Sequence, residues 1–106
     1  MSGKGKNGLI ACPCCGYATL GEVAGYEICP ICCWEDDGQD DSNADEIFGG
    51  PNPVSLTQAR MNFIQTGSSH HKRLGNVRRP IESDERLKIY ALIKVLYRQD
   101  NVVNTF

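Results

Sequence analysis

The chain has 106 residues, a formal net charge of −2 and six cysteines. This length suits one small domain, in which a bound metal would contribute much of the stability. No apolar run approaches the roughly 18 residues of a membrane span, and the N-terminus lacks the apolar stretch of a secretory signal. We therefore expect a cytoplasmic protein with no membrane partner, whose reduced thiols favour metal binding over disulfides.

The N-terminal third predicts a disordered start followed by a small ribbon. Residues 1–8 are rich in Gly, Lys and Asn and offer little to bury, so we expect them to be disordered. Residues 9–34 predict a zinc ribbon, because short strand-like runs at 9–11, 17–20 and 26–28 flank two cysteine turns.

These two turns each have the pattern Cys-Pro-x-Cys, and each aims two thiolates at one point. The predicted metal ligands are Cys12, Cys15, Cys29 and Cys32. Four thiolates fill a tetrahedral coordination sphere and leave no position for an activated water, which indicates a structural Zn²⁺. Iron is the less favoured alternative, because such turns also resemble those of rubredoxin.

Two further cysteines, Cys14 and Cys33, lie next to predicted ligands. They are interpreted either as spare thiols or as functional thiols, in the form of a redox pair or an alternative ligand. Reactivity requires exposure and a lowered pKa, so the interpretation as spare thiols is favoured.

Residues 35–53 predict an acidic loop, since seven of the thirteen acids lie between residues 35 and 46. An EF-hand calcium loop does not fit, because Glu46 takes the required Gly position and Asn52 the required Glu position. The favoured hypothesis is a surface that contacts a basic protein partner, with solubility alone as the plain alternative. The candidate surface consists of Trp34, Glu35, Asp36, Asp37, Asp40 and Asp41. A hydrolase using these carboxylates with a second metal is the enzymatic alternative.

A basic segment follows the acidic loop: residues 47–81 contain five basic residues and no acid. Docking of residues 35–46 on residues 72–79 or on Arg60 would explain both charge runs without a ligand. Nucleic acid is a less favoured partner, because the acidic loop would repel the phosphate backbone. His70 and His71 are interpreted as loop residues, and a second metal site there is disfavoured.

Residues 54–99 predict the helical part of the same domain. Ser55 and Gln58 match a capping box and Gly67 a helix stop, which places a helix near 56–66. Apolar residues at helical spacing, preceded by the potential cap Ser83, predict a second helix near 84–98. Residues 100–106 are a tail without a clear signal. The predicted fold is thus α+β: a zinc ribbon of two to three antiparallel strands with two packed α-helices.

The combined motifs resemble those of the bacterial cysteine-rich CPCC family, small proteins without an established activity. The resemblance spans roughly residues 11–67 and rests on the first turn with Gly16 and Tyr17, on Tyr26 to Cys32, on Trp34 to Gly38, and on Val54 to Phe63. It implies a bacterial origin and a zinc site, but no reaction. We therefore expect a zinc-stabilised interaction module, with a hydrolase or a thiol redox protein as alternatives.

Overall fold

The fold begins with a short hairpin that carries the first cysteine turn between its strands. In the computed structural model, which describes residues 3–90, strand β1 (Ile10–Ala11) pairs antiparallel with strand β2 (Ala18–Leu20). Ile10 lies opposite Leu20 and Ala11 opposite Ala18, so the register shifts between the two pairs. Within the described residues, this is a sheet of two strands.

The third predicted strand, at residues 26–28, is wrong. Tyr26 has a left-handed φ of 58°, and only Ile28 forms a bridge, an isolated one with Glu35. The carboxylate of Glu27 accepts hydrogen bonds from the backbone N–H groups of Gly21 and Glu22. This side chain closes a bend where an extended strand was expected.

The first predicted helix is confirmed as helix α1 (Leu56–Thr66). The Ser55 side chain accepts a hydrogen bond from the Gln58 N–H, which caps the start of the helix. Gly67 ends it with φ 87° and donates its N–H to the Phe63 carbonyl at 2.8 Å. A glycine suits this position because the left-handed conformation costs it little.

The second predicted helix is wrong over residues 84–90, and residues 91–98 lie outside the described part of the chain. Arg86 forms an antiparallel bridge with Tyr17, and the Ala18 N–H donates to the Glu85 carbonyl at 2.9 Å. This segment therefore runs along the hairpin as extended chain. Local helical periodicity was overridden by pairing with backbone groups distant in sequence.

The chain between helix α1 and the 84–90 segment contains a short 3₁₀ helix, His71–Asn76. His70 caps it, because its Nδ1 accepts a hydrogen bond from the Lys72 N–H at 3.1 Å. A second 3₁₀ turn, Asp41–Asn43, lies in the acidic loop and is capped by Asp40. The predicted loop thus contains regular local structure.

The core forms around the cysteines. Trp34, Leu20, Ile31 and Leu56 are fully buried in one cluster with the four predicted ligands. Tyr17, Val54 and Phe63 are among the half-buried side chains packed against this cluster. The metal-ligand region and the apolar core are therefore one unit.

The N-terminal residues that the structure describes contact this unit. The Lys6 N–H donates to the Glu85 carboxylate at 2.8 Å, and the Asn7 side-chain amide donates to the Ala18 carbonyl at 3.0 Å. They therefore connect the hairpin with residue 85. Within residues 3–90, no helix has the length and apolarity to cross a membrane.

Replacement of Gly16 tests how tightly the 84–90 segment lies on the first turn. A Cβ at Gly16 would overlap the backbone carbonyl of Lys88, and φ is +82° there. Gly49 is the matched control, since its φ is +77° and no atom lies near its Cβ position. We expect Gly16→Ala to destabilise the protein by about 2 kcal/mol more than Gly49→Ala in denaturant unfolding. Equal losses would mean that the segment does not pack on the turn.

Candidate metal centre

The four predicted ligands converge on one buried point. The Sγ atoms of Cys12 and Cys32 are 3.6 Å apart, and those of Cys15 and Cys29 are 3.7 Å apart. All four sulfurs lie within 4.8 Å of one another. A tetrahedral ion with 2.3 Å metal–sulfur bonds separates its sulfurs by about 3.8 Å. A disulfide needs about 2.05 Å, and all six cysteines are free thiols. The cluster therefore has the dimensions of a metal site.

The protonation chemistry of these thiols also fits a cation. Burial raises the pKa of Cys12 and of Cys32 well above the ordinary value. The pKa of Cys29 is lowered, because its sulfur accepts hydrogen bonds from Cys12 and from the other thiols of the cluster. Without a cation, four such crowded groups share protons and do not all ionise. A divalent metal would stabilise all four as thiolates.

The two cysteine turns have the same backbone geometry. The Gly16 N–H donates to the Cys12 carbonyl, and the Cys33 N–H donates to the Cys29 carbonyl, both at 2.8 Å. Gly16 has φ 82° and Cys33 has φ 66°, so both lie in the left-handed region. Cys33 therefore occupies the position that glycine holds in the first turn, with the strain that a Cβ brings there.

The equivalence continues one residue further along each turn. The Cys12 N–H donates to the Tyr17 carbonyl at 2.8 Å, and the Cys29 N–H donates to the Trp34 carbonyl at 2.9 Å. These bonds bring the chain leaving each turn back past its first cysteine. As a result, the two turns direct their sulfur atoms into the cluster with the same local backbone arrangement.

The carbonyl groups of the first turn are capped by residues far away in sequence. Arg60 Nε donates to the Pro13 carbonyl at 2.8 Å, and Arg86 Nε donates to the Cys15 carbonyl at 2.9 Å. The Leu87 N–H donates to the Gly16 carbonyl at 2.8 Å.

The second turn is capped in the same way by the segment that follows helix α1. The Ser69 N–H donates to the Cys32 carbonyl at 2.8 Å, and the Arg78 N–H donates to the Pro30 carbonyl at 3.2 Å. The side chain of Arg73 donates from Nη1 to the Cys33 carbonyl at 2.8 Å. The chain after the helix is thus folded around both turns.

The two extra cysteines do not resemble a reactive pair. Cys14 and Cys33 are 2% and 6% exposed, and burial raises the pKa of Cys33. The Cys14 N–H points to the Cys12 sulfur at 3.4 Å. A buried thiol with a raised pKa is a poor nucleophile. The structure therefore favours the interpretation as spare thiols for Cys33.

Thr19 and Arg86 were not predicted as site residues. The Thr19 hydroxyl donates to the Cys29 sulfur at 3.1 Å. Arg86 lies in the segment that was predicted to be helical. Neither residue carries a local sequence signal for its role. Both act on the cysteine turns through contacts that only the folded chain creates.

Two members of the predicted interaction surface lie in the interior. Trp34 is fully buried, and Asp36 is 3% exposed. The Asp36 carboxylate accepts the N–H groups of Ala24 at 2.8 Å and Gly38 at 3.2 Å. Trp34 packs in the cysteine cluster because the second turn leads directly into the core. Placing these two side chains on a contact surface was wrong.

The remaining members of that surface also make contacts within the protein. Asp37 accepts hydrogen bonds from the Gln39 N–H at 3.1 Å and from the Asn52 side chain at 3.2 Å. The Asp40 carboxylate accepts hydrogen bonds from the Ser42 hydroxyl and from the Ser42 N–H, and this bonding lowers the pKa of the exposed Asp40. Glu35 is half-buried. Much of the acidic charge therefore shapes the loop itself.

Asp41 confirms the predicted docking of the acidic loop on Arg60. Its carboxylate lies 2.7 Å from Arg60 Nη2, although the side chain of Asp41 is 76% exposed and that of Arg60 only 3%. This ion pair attaches the loop to helix α1. Among the described residues, no carboxylate of the loop forms an ion pair with residues 72–79.

A cleft of about 190 Å³ lies beside the acidic loop and is lined in part by Asp36 and Asp40. It is smaller than the roughly 300 to 1,000 Å³ of typical ligand sites. Both carboxylates are already hydrogen-bonded to backbone groups of their own loop or of its neighbour. The cleft therefore gives little support to the hydrolase alternative.

The two histidines belong to the loop that caps the second turn. His70 is 8% exposed, and its ring lies 4.3 Å from that of the exposed His71. Burial lowers the pKa of His70. Within residues 3–90, the four-cysteine cluster is the only group of three or more Cys, His, Asp or Glu residues arranged to hold a metal.

A family model described as "Cysteine-rich CPCC" matches residues 10–84. The matched range begins at strand β1, includes both cysteine turns and helix α1, and ends six residues after Arg78. It therefore extends beyond the roughly 11–67 on which the resemblance rested. No curated protein and no solved structure matches the chain.

Replacement of Cys33 tests the equivalence of the two turns. Cys33→Gly and Cys33→Ala both remove the thiol, but only the alanine variant keeps a Cβ at φ 66°. We expect the glycine variant to be more stable by about 1 kcal/mol in denaturant unfolding, because it relieves the left-handed strain. Alanine equal to or better than glycine would argue against a strained turn.

Proposed function

Because the chain belongs to the cysteine-rich CPCC family and brings four thiols to one point, we propose that it is a zinc-stabilised protein-interaction module. In this proposal Zn²⁺ is structural and the acidic loop contacts a basic partner in the cytoplasm. The four thiolates would complete the coordination sphere, so the metal supplies stability and no reactive water.

The choice of Zn²⁺ rests on the donor set and on the size of the domain. Zinc accepts four thiolates in a tetrahedron and has no redox chemistry of its own. Iron fits the same sulfur spacing, so the metal content of the purified protein decides between them. Zinc binding to such sites contributes on the order of 10 kcal/mol to folding, comparable to the whole stability of a small domain.

The observation that carries the interaction function is an exposed apolar pair in the acidic loop, directly after its last acidic residue. Ile47 is 66% exposed and Phe48 is 45% exposed, directly after the exposed acids Asp45 and Glu46. The neighbouring stretch is held by the hydrogen bonds from Gln39 Nε2 to the Asn43 and Glu46 carbonyls. Preorganised apolar groups beside negative charge suit a partner with a basic rim around an apolar contact.

Substitution of single cysteines tests the metal site. We expect Cys15→Ser to lose the zinc and to unfold at temperatures where the wild type is folded, because three thiolates hold the metal less well. Cys14→Ser is the matched control, a buried thiol one residue away that we expect to leave one zinc per chain. Metal analysis of the purified proteins gives the result.

A red protein containing iron would contradict zinc, and equal metal content in both variants would contradict the ligand set. Alkylation of the native protein followed by mass spectrometry provides an independent count. In a variant with Cys14→Ala and Cys33→Ala, which removes the two other buried thiols, it should show the four ligand thiols protected until a chelator is added.

A matched pair of double variants tests the proposed contact surface. Glu46→Gln with Ile47→Ser removes one acid and one apolar group from the acidic loop. Glu82→Gln with Ile81→Ser does the same elsewhere, since Ile81 is 63% exposed and Glu82 is also exposed. We expect affinity capture from the native host to lose a basic protein with the first variant only.

Capture of the same proteins by both variants would contradict the proposal that the acidic loop forms the interface. The captured protein is then purified, and its affinity for wild type and variants is measured directly. We expect a loss of about tenfold or more for the first variant, because it removes a charged and an apolar contact together.

A further inference from the structure

Two arginines attach their charged groups to the two cysteine turns. Arg86 donates from Nε to the carbonyl of Cys15, itself a ligand, at 2.9 Å. Arg73 donates from Nη1 to the carbonyl of Cys33, the residue after the ligand Cys32, at 2.8 Å. Each turn therefore has one guanidinium bound to its C-terminal end.

These guanidinium groups are held in place by further contacts. Arg73 also donates from Nη2 to the Pro51 carbonyl at 2.7 Å and from Nη1 to the Asn52 side chain at 3.2 Å. Arg86 lies over the rings of Tyr17 at 5.2 Å and Phe63 at 5.6 Å. Their charges thus have fixed positions beside the cluster.

Both arginines lack a carboxylate partner within residues 3–90. In that part of the chain, Arg60 is paired with Asp41 and Arg78 with Asp84, but no carboxylate oxygen lies within 4.0 Å of Arg73 or Arg86. Arg73 is half-buried, and a fixed charge that is partly removed from water is costly unless an opposite charge is near. Arg86 is exposed, so its charge is the less costly of the two.

The metal centre would supply that opposite charge. A divalent ion with four thiolates has a net charge of −2, and two guanidinium groups have a charge of +2.

We propose that Arg73 and Arg86 are positioning residues that compensate the charge of a four-thiolate divalent metal centre. This inference rests on the metal part of the proposed function and is independent of the interaction surface. Outer contacts of this kind fix the ligands and raise the affinity for the metal. The alternative role is that of simple donors to the turn carbonyls.

Zinc affinity, measured by competition with a chelator, separates the two roles. Arg73→Gln and Arg86→Gln keep hydrogen-bond donors but remove the charge, and Arg73→Lys and Arg86→Lys keep the charge. Arg79→Gln is the matched control, because the exposed Arg79 side chain makes no hydrogen bond or ion pair within residues 3–90.

We expect each glutamine variant to bind Zn²⁺ about 10-fold more weakly than wild type and the double variant about 100-fold more weakly. The lysine variants should recover most of the affinity, and Arg79→Gln should match wild type. The difference between wild type and the glutamine variants should shrink at high salt, which screens charge but not hydrogen bonding. The visible spectrum of the Co²⁺-loaded proteins checks that each variant keeps a tetrahedral four-thiolate site.

Glutamine variants that bind zinc as tightly as Arg79→Gln would overturn the inference. Lysine variants as weak as the glutamine variants, with no dependence on salt, would also overturn it and assign both arginines a hydrogen-bonding role. If the double variant does not fold, the single variants decide. A wild type without metal would contradict the proposed zinc site as well, so the two failures are distinguishable.

Discussion

Four thiol sulfurs within 4.8 Å of one another are the constraint on which the rest of this structure depends. A hairpin with strands of two and three residues buries too little to be stable alone. The cluster joins this hairpin to the second turn and to Trp34, which leads into the core. The stability of the domain is therefore expected to come largely from the metal that these sulfurs can hold.

The chain after helix α1 donates hydrogen bonds to the backbone of both cysteine turns. It caps the carbonyls of the second turn through residues 69–78 and those of the first turn through residues 86–88. These backbone groups would otherwise be polar acceptors beside a buried cluster, at a cost in free energy. The family match extends to residue 84, so it covers the residues that cap the second turn and ends before those that cap the first turn.

The acidic loop uses much of its charge within the protein, and its composition alone does not separate this use from the proposed contact with a partner. Asp36 and Asp37 accept hydrogen bonds that shape the loop, and Asp41 attaches it to helix α1 through Arg60. The exposed apolar side chains lie further along the chain, at Ile47 and Phe48, and these are the proposed contacts for a partner. The stretch beginning at Trp34 thus enters the core first and becomes exposed later.

The features that the sequence predicted correctly are those with local causes. The ligand spacing in each turn and the caps Ser55 and Gly67 act over a few residues, so they are readable without a fold. The strand at 26–28 and the helix over 84–90 failed because long-range partners decide those segments. For the same reason, the hydrogen bond from Arg86 to the first turn had no signal in the sequence.

Amide hydrogen exchange with and without a chelator tests most directly whether the metal centre holds the fold together. Removal of the metal should abolish the protection of the Cys29 and Cys33 amides in the second turn. It should equally abolish the protection of the Ala59 amide in helix α1, which donates to the Ser55 carbonyl. This amide is remote in sequence from both turns. Loss of protection in the turns with an unchanged helix would contradict this account, because the core would then be stable without the metal.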